Sequence, residues 1–435
     1  MSLTLIENIQ LKLKNKEYRK IAENFFSLSL LQVLNYILPL ITFPYLVRVL
    51  GAEKFGLVAF AQSFNTYFMI LVDYGFNLSG TRAISINREN LQKVSEIFSS
   101  IFTAKILLLI ISFLALSIII SFVPKFKVHW PLYLLSFGMV IGNMLFPVWF
   151  FQGMQEMKYI TILNFIAKII FTVSIFLIVK SSSDYLYVPA LNSSGSLIAG
   201  ILSLWLIFKK FSINFLFVSK KAILRTLREG WYLFVSRVSI SLYTTTNAFV
   251  LGLFESMSVV GYYVAAEKII RVSLSLFTPV FRSLYPYISQ KAVTAREYTI
   301  SVLRRLLKYV GLISLLISIV FFIFAKPIIL LVLGSKYLDS IAVFRILSFI
   351  PFIVALASIL SNLTMVPFKL DRYLMYIYLL GGVINLVLIL LFVALLKLHA
   401  EGAALANLLT EFVLTLSMFA VLWKNKINLL TYVKQ

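Results

Sequence analysis

Residues 99–122 read SSIFTAKILLLIISFLALSIIISF, and one charge, Lys105, interrupts an otherwise uncharged and mostly aliphatic run. As an α-helix rising 1.5 Å per residue, this stretch is long enough to cross the roughly 30 Å hydrocarbon core of a bilayer. It lacks the charged face by which an amphipathic helix of a soluble protein meets water. Runs of the same kind recur along all 435 residues, of which 60% are hydrophobic and 13% charged. Soluble domains carry about a quarter charged residues. The alternating, strand-length segments of a barrel are absent, so backbone hydrogen bonds must close within helices. The expected fold is an all-α polytopic membrane protein.

Twelve transmembrane helices are expected, at 24–48, 56–76, 99–122, 130–152, 159–179, 186–208, 231–253, 259–281, 305–325, 341–366, 373–396 and 402–423. The stretch 209–230, KKFSINFLFVSKKAILRTLREG, separates six from six. It is basic and partly amphipathic, as a connector on the cytoplasmic membrane surface would be. The expected plan is an N-terminal six-helix lobe at 1–208, this connector at 209–230, a C-terminal six-helix lobe at 231–435, and a central cavity. The halves also echo each other: VLGAEKFGLVAFAQ (49–62) follows the first span and VLGLFESMSVVGYYVAAEK (250–268) the seventh. Two parallel six-helix repeats are a known transporter plan.

Orientation follows from the basic residues. With the N-terminus inside, the inner segments and adjoining span ends hold 26 of the 40 Lys and Arg, and the outer loops hold 8. Both termini are therefore expected in the cytoplasm. The net charge of +23 then reads as an orientation signal and a match to anionic lipid of the inner leaflet, not as a nucleic-acid footprint. Lys12, Lys14, Lys16, Arg19 and Lys20 precede the first span without an apolar core and small-residue cleavage site, so the span itself is expected to act as insertion signal.

There is no cysteine, which excludes disulfides and thiolate chemistry, and His129 and His399 are too few and too far apart for a metal site. No cofactor is expected. Polar residues fall at helical spacing in several spans: Gln32 and Asn35 in the first; Gln62, Thr66 and Asp73 in the second; Asn164 and Lys168 in the fifth. Arg237 and Ser241 do so in the seventh, and Asn407 and Glu411 in the twelfth. A single Asn, Gln or Thr is accounted for by interhelical hydrogen bonding, about 0.6 kcal/mol per pair.

Ionised groups at depth ask for more, because each costs roughly 2.5 to over 10 kcal/mol at the bilayer centre. Six bases stand within spans against three acids, Asp73, Glu267 and Glu411. Lys105 lies near an inner span end and Arg345 near an outer one, where both can snorkel to the interface. Lys168, Arg237, Lys268 and Arg271 lie deeper. Glu267 and Arg271 are one turn apart, acid first, and can pair; Lys268 points about 100° away from Glu267 on the same helix. The basic excess makes Lys168, Arg237, Lys268, Arg271 and Arg345 candidates for binding an anion. Asp73 sits at an inner span end beside Asn77, Ser79 and Arg82. It reads either as an interfacial pair with Arg82 or as a gate acid that exchanges partners between two states.

Several segments resemble the lipid-linked oligosaccharide flippases (Wzx type, the polysaccharide transporter family within the multidrug/oligosaccharidyl-lipid/polysaccharide exporter superfamily). They are LPLITFPYLVRVLGAEKFGLVAFAQS (38–63), DYGFNLSGTRAIS (73–85), FPVWFFQGMQEMKY (146–159), GYYVAAEKIIR (261–271), LYPYIS (284–289) and LGSKYLDSIAVFRILS (333–348). NLTMVPFKLDR (362–372) departs from that pattern, and no binding role is carried onto it. The resemblance implies translocation of an undecaprenyl-diphosphate-linked O-antigen or capsule repeat unit across the bacterial cytoplasmic membrane by alternating access. It also implies two six-helix lobes around a cationic cavity, with O-antigen polymerase and chain-length regulator as partners and H+ or Na+ as coupling ion. Arg and Lys are natural ligands of a diphosphate, and hydroxyl, amide and aromatic groups suit a glycan. Two other readings stay open. A multidrug/cation antiporter of the same superfamily would favour surplus acid in its cavity. A membrane-embedded glycosyltransferase or polymerase would favour a large outer loop or paired carboxylates.

Overall fold

The computed structural model describes residues 16–429; of these, the side chains at 16–37, 39 and 282 fall outside the described residues, Gln32 and Asn35 among them. The described chain is helical, with no strand. Nine of its helices are long and apolar enough to cross a membrane. The difference from twelve has two causes. The first two expected spans form one element, α1 (Lys16–Asp73), broken only at Gly51, whose φ of 69° and ψ of 174° lie outside helical space. Only glycine enters that region freely, so the Gly of the first V-L-G is what turns one long helix into two segments. The seventh and eighth expected spans fall on α8 (Lys220–Thr244) and α10 (Met257–Ser275). α8 stops at Thr244, partway through the expected seventh span, and carries Arg228, Glu229 and Arg237, while α10 carries Glu267, Lys268 and Arg271, so neither stands out by apolarity.

The chain forms two compact units. The first takes in the described residues up to Phe43, Phe68–Lys180 and Leu186–Phe234; the second takes in Pro44–Tyr67, Ser181–Tyr185 and the residues from Val235 on. Residues 44–67, which include the first echo motif, thus pack with the C-terminal half of the sequence.

The first unit contains α2 (Phe76–Asn87), α3 (Leu91–Phe122), α4 (Trp130–Leu145), α5 (Val148–Gly153), α6 (Met157–Ile178) and α7 (Tyr187–Lys210). Asn90 caps α3, its side chain accepting from the Lys93 N–H at 3.0 Å. α4 and α7 meet through small residues: a Cβ on Gly142 would lie 2.6 Å from that of Ser196, and one on Gly138 2.7 Å from that of Ser193. After α7 the chain does not form a surface helix at once. Residues 212–219 form neither helix nor strand and run along α3, where the N–H groups of Asn214 and Leu216 donate to the hydroxyls of Ser95 and Ser99 at 3.2 and 2.9 Å. α8 then starts at Lys220 and continues unbroken past residue 230 into the expected seventh span.

The second unit contains α9 (Thr246–Phe254), α10, α11 (Thr278–Thr294), α12 (Arg296–Ile323), α13 (Ala325–Val332), α14 (Ser340–Leu347), α15 (Ile350–Ser358), α16 (Asp371–Ile389) and α17 (His399–Lys424). Its closest helix crossing joins the two echo motifs. A Cβ on Gly56 would fall 1.8 Å from the carbonyl oxygen of Met257, and one on Gly261 2.1 Å from that of Ala52. Each motif's glycine thus sits on the backbone four residues before the other's. Neither contact leaves room for a methyl, and overpacking of this kind costs about 1–3 kcal/mol. Gly56→Ala and Gly261→Ala should each lower the melting temperature of the detergent-solubilised protein. The double variant should lose less than the sum, because both open one crossing. Strict additivity would separate the two contacts.

Candidate functional site

The second unit encloses a pocket of about 230 Å³ among α8, α10, α15, α16 and α17. Spacing explains its lining. Glu267, Arg271 and Leu274 lie on one stripe of α10, and Asn407, Glu411, Leu414 and Met418 on one stripe of α17. α8 ends at Thr244, where Thr245 leaves helical space at φ −120°, and helix ends leave carbonyls without an intrahelical partner. Arg271 Nη2 takes up that carbonyl at 2.8 Å and Glu267 Oε1 at 2.7 Å. A cation suits the negative end of a helix dipole. The Arg271 side chain is nevertheless 48% exposed, against 14% for Glu267. Glu267 is thus the buried anchor, and Arg271 presents its remaining N–H donors to the pocket.

Beyond α15 the helix widens to π geometry over Ile359–Met365, where the Thr364 hydroxyl donates to the Ile359 carbonyl at 2.9 Å. Such widenings occur often at functional sites. This one delivers Ser361 and Asn362 to the pocket. Tyr243 and Tyr378 stack on its wall, with ring centroids 6.0 Å apart and planes 17° apart. A second cavity, about 680 Å³, shares Arg271, Leu274, Val354, Ser358 and Asn362 with the first; the rest of its lining is mostly aromatic and aliphatic, with Phe277, Phe281, Tyr285, Ala355 and Val366 beside Ser275 and Thr278. Arg271 therefore stands where a small polar pocket meets a larger apolar one.

A buried polar core fixes the helices behind the pocket. The Tyr263 hydroxyl, fully buried, accepts from the amides of Asn247 on α9 and Asn407 on α17, both at 3.3 Å. Asn385 on α16 donates to Thr410 on α17 at 3.2 Å.

The sequence candidates are gathered only in part. Glu267, Arg271, Asn407 and Glu411 share the pocket. Lys268 is exposed and is not among the pocket's lining residues; Arg237 on α8 and Arg345 in the last turn of α14 are exposed as well. Ser241 is buried and donates to the Val238 carbonyl of its own helix at 2.8 Å, and Gln62 is half-buried. The pocket within this unit holds two carboxylates and one guanidinium. Tyr243, Tyr378, Ser361 and Asn362 were not singled out from sequence, although the polar residues of NLTM gave a signal inside an apolar span.

In the first unit, Lys168 and Asn164 are half-buried on α6. Lys105 does not reach an interface: it is 1% exposed, and its Nζ lies 3.4 Å from Asp73 Oδ1. Asn77 donates to both oxygens of the same carboxylate, at 3.0 and 2.8 Å. Asp73 is thus held by Lys105 and Asn77, while Arg82 is exposed and lines a separate cleft.

A family model described as polysaccharide biosynthesis protein matches residues 21–292. Two relatives, both named "Putative O-antigen transporter", align over nearly their full length. One from Escherichia coli (strain K12) is 30% identical over 413 residues, 95% of this chain and 99% of its own. One from Shigella dysenteriae is 28% identical over 396 residues, 91% and 98% of the two chains. Among solved structures, the lipid II flippase MurJ in an inward closed conformation superposes with a TM-score of 0.71 at 15% identity, covering 92% of this chain and 87% of that one. An inward-facing multidrug resistance MATE family transporter of the MOP superfamily gives 0.66 at 14% identity, with 93% and 98% covered. At these identities the solved structures establish the fold.

Proposed function

Because the chain belongs to the polysaccharide biosynthesis protein family, we propose that it is a flippase that moves a lipid-linked oligosaccharide repeat unit of the O-antigen kind across the bacterial cytoplasmic membrane by alternating access. The near-full-length match to two proteins named as O-antigen transporters carries this reading. The pocket supports it chemically. A diphosphate is the part of such a lipid least able to enter hydrocarbon, and a guanidinium whose fork is half exposed is suited to bind it. Stacked tyrosines and amides beside it suit sugar hydroxyls and ring faces, and the adjoining apolar cavity suits the start of a polyprenyl chain. The chain performs the step without covalent chemistry: one lobe-sized unit exchanges its exposure while the substrate's charge stays in contact with Arg271. Glu411, the pocket's other carboxylate, is the group where H+ or Na+ would couple.

The acid excess inside the pocket favours the multidrug/cation antiporter as the second reading. One experiment separates them. In cells lacking the gene, supplying the chain should restore lipid-linked glycan at the outer face of the membrane and leave sensitivity to cationic drugs unchanged. Restored drug resistance without glycan delivery would establish the antiporter instead.

Both termini are proposed to be cytoplasmic, a reading that the 26-to-8 distribution of basic residues supports. A green fluorescent protein fused after residue 435 should fluoresce, and alkaline phosphatase at the same place should be inactive. The reverse pattern would invert the topology.

A further inference from the structure

The first unit contains a cleft of about 1260 Å³ that plays no part in the pocket described above. It is larger than the ~300–1,000 Å³ typical of a site for a drug-sized ligand. Its walls are α2, the first turns of α3, residues Leu216–Ser219 and the first turns of α8. Two stripes face it. Leu78, Arg82 and Ile86 stand four apart on α2, and Lys93, Ile97 and Ile101 stand four apart on α3. Each stripe joins one base to two aliphatic side chains. Leu78, Ile86 and Phe217 are 60%, 71% and 103% exposed, so among the described residues nothing packs over this wall.

Its charges do not all cancel. Lys93 pairs with Glu96 at 2.6 Å and Arg225 with Glu229 at 3.0 Å, each pair within its own helix. Arg82 has no acid partner among the described residues and lines the cleft. The polypeptide that closes the cleft is also basic, with Lys209, Lys210, Lys220 and Lys221 on or beside it. Basic pockets beside membrane helices on the cytoplasmic side bind anionic lipid headgroups. A free phosphate would leave the aliphatic stripes wet, and a neutral lipid would leave Arg82 without a counter-charge.

We infer that this cleft is a binding site for one anionic glycerophospholipid of the inner leaflet, its phosphate on Arg82 and an acyl chain along Leu78, Ile86 and Ile97. Residues 216–219 form the lid over the chain, held by the Ser99 hydroxyl. The site does not depend on the flippase reading; its assignment to the inner leaflet rests on the proposed cytoplasmic termini, and it is tested by binding alone.

Full-length protein purified in mild detergent is titrated with phosphatidylglycerol or phosphatidylcholine, and retained lipid is counted by native mass spectrometry. Wild type should hold one phosphatidylglycerol in preference to phosphatidylcholine. Arg82→Gln should lower that occupancy about fivefold, the expected loss for one lipid-facing charge. Ala222→Trp, which fills the cleft and leaves every charge in place, should lower it as far. Arg228→Gln, on the same helix but outside the lining, should leave it unchanged. Wild-type occupancy in both Arg82→Gln and Ala222→Trp would overturn the assignment. So would equal retention of phosphatidylcholine, or one-for-one displacement of phosphatidylglycerol by a polyprenyl diphosphate, which would give the cleft to the transported lipid.

Discussion

Arg271→Gln should cut delivery of lipid-linked glycan to the outer face at least about tenfold while the protein accumulates in the membrane at its normal level. Hydrogen bonds to a charged group contribute about 1.5–3 kcal/mol each, and 1.4 kcal/mol is a factor of ten, so losing one diphosphate contact gives roughly tenfold to a hundredfold. Protein level should hold because the guanidinium is 48% exposed and Glu267, unlike a carboxylate shut in among helices, opens onto the pocket. Arg271→Lys keeps the charge but loses the planar fork and should fall between the two. Glu267→Gln tests the division of labour. The guanidinium would keep the Thr244 carbonyl, at 2.8 Å, as its anchor, so transport should drop by far less than in Arg271→Gln. A purely structural pair would behave differently: either single change would lower protein level, and the double change would restore it. Surface glycan and immunoblots on the same cells distinguish the outcomes.

Lys105→Met should be the most destabilising single change in the first unit. An ammonium 1% exposed and a carboxylate 15% exposed hold each other at 3.4 Å. Removing either partner leaves a charge in low dielectric, at a cost of about 3–5 kcal/mol. Set against total stabilities of about 5–15 kcal/mol, such a loss should show as a sharp fall in yield and melting temperature. Asp73→Asn should fall similarly, because Lys105 then has no counter-charge. The Asp73→Asn, Lys105→Met double variant should recover much of the loss, since neither charge remains to be solvated. If both singles melt within about 2 °C of wild type, the pair contributes little to stability.

The expectations from sequence fared according to the range of the interaction involved. Apolar runs such as 99–122 gave the helices directly, because crossing a bilayer is a property of one segment. The stripes of α10 and α17 were legible too: residues three and four apart share a face whatever packs against it, so Glu267 with Arg271 and Asn407 with Glu411 emerged together. Lys105 was misplaced because its partner is 32 residues away and its position near a span end gave no sign of it. Tyr243 and Tyr378 stayed hidden for another reason, since a tyrosine in an apolar helix reads as packing until its hydroxyl is seen in a pocket. The tilt of the charge count towards base described the spans as a set. It did not describe the small pocket, where burial brought two acids to one base.

The crossing of Gly56 with Gly261 has a consequence of its own. When two identical subunits join about a twofold axis, a residue on one touches a second residue on its mate, and the mate returns the touch. The same reciprocity appears here between two stretches of one polypeptide, with Ala52 answering Gly261 and Met257 answering Gly56. The second unit is therefore built around a dimer interface folded into a monomer. A self-complementary surface of that kind has to satisfy both of its copies at once: a larger side chain at one glycine strains the joint to which the other glycine belongs. The tolerance of either position for change is set by its counterpart some two hundred residues away in the sequence.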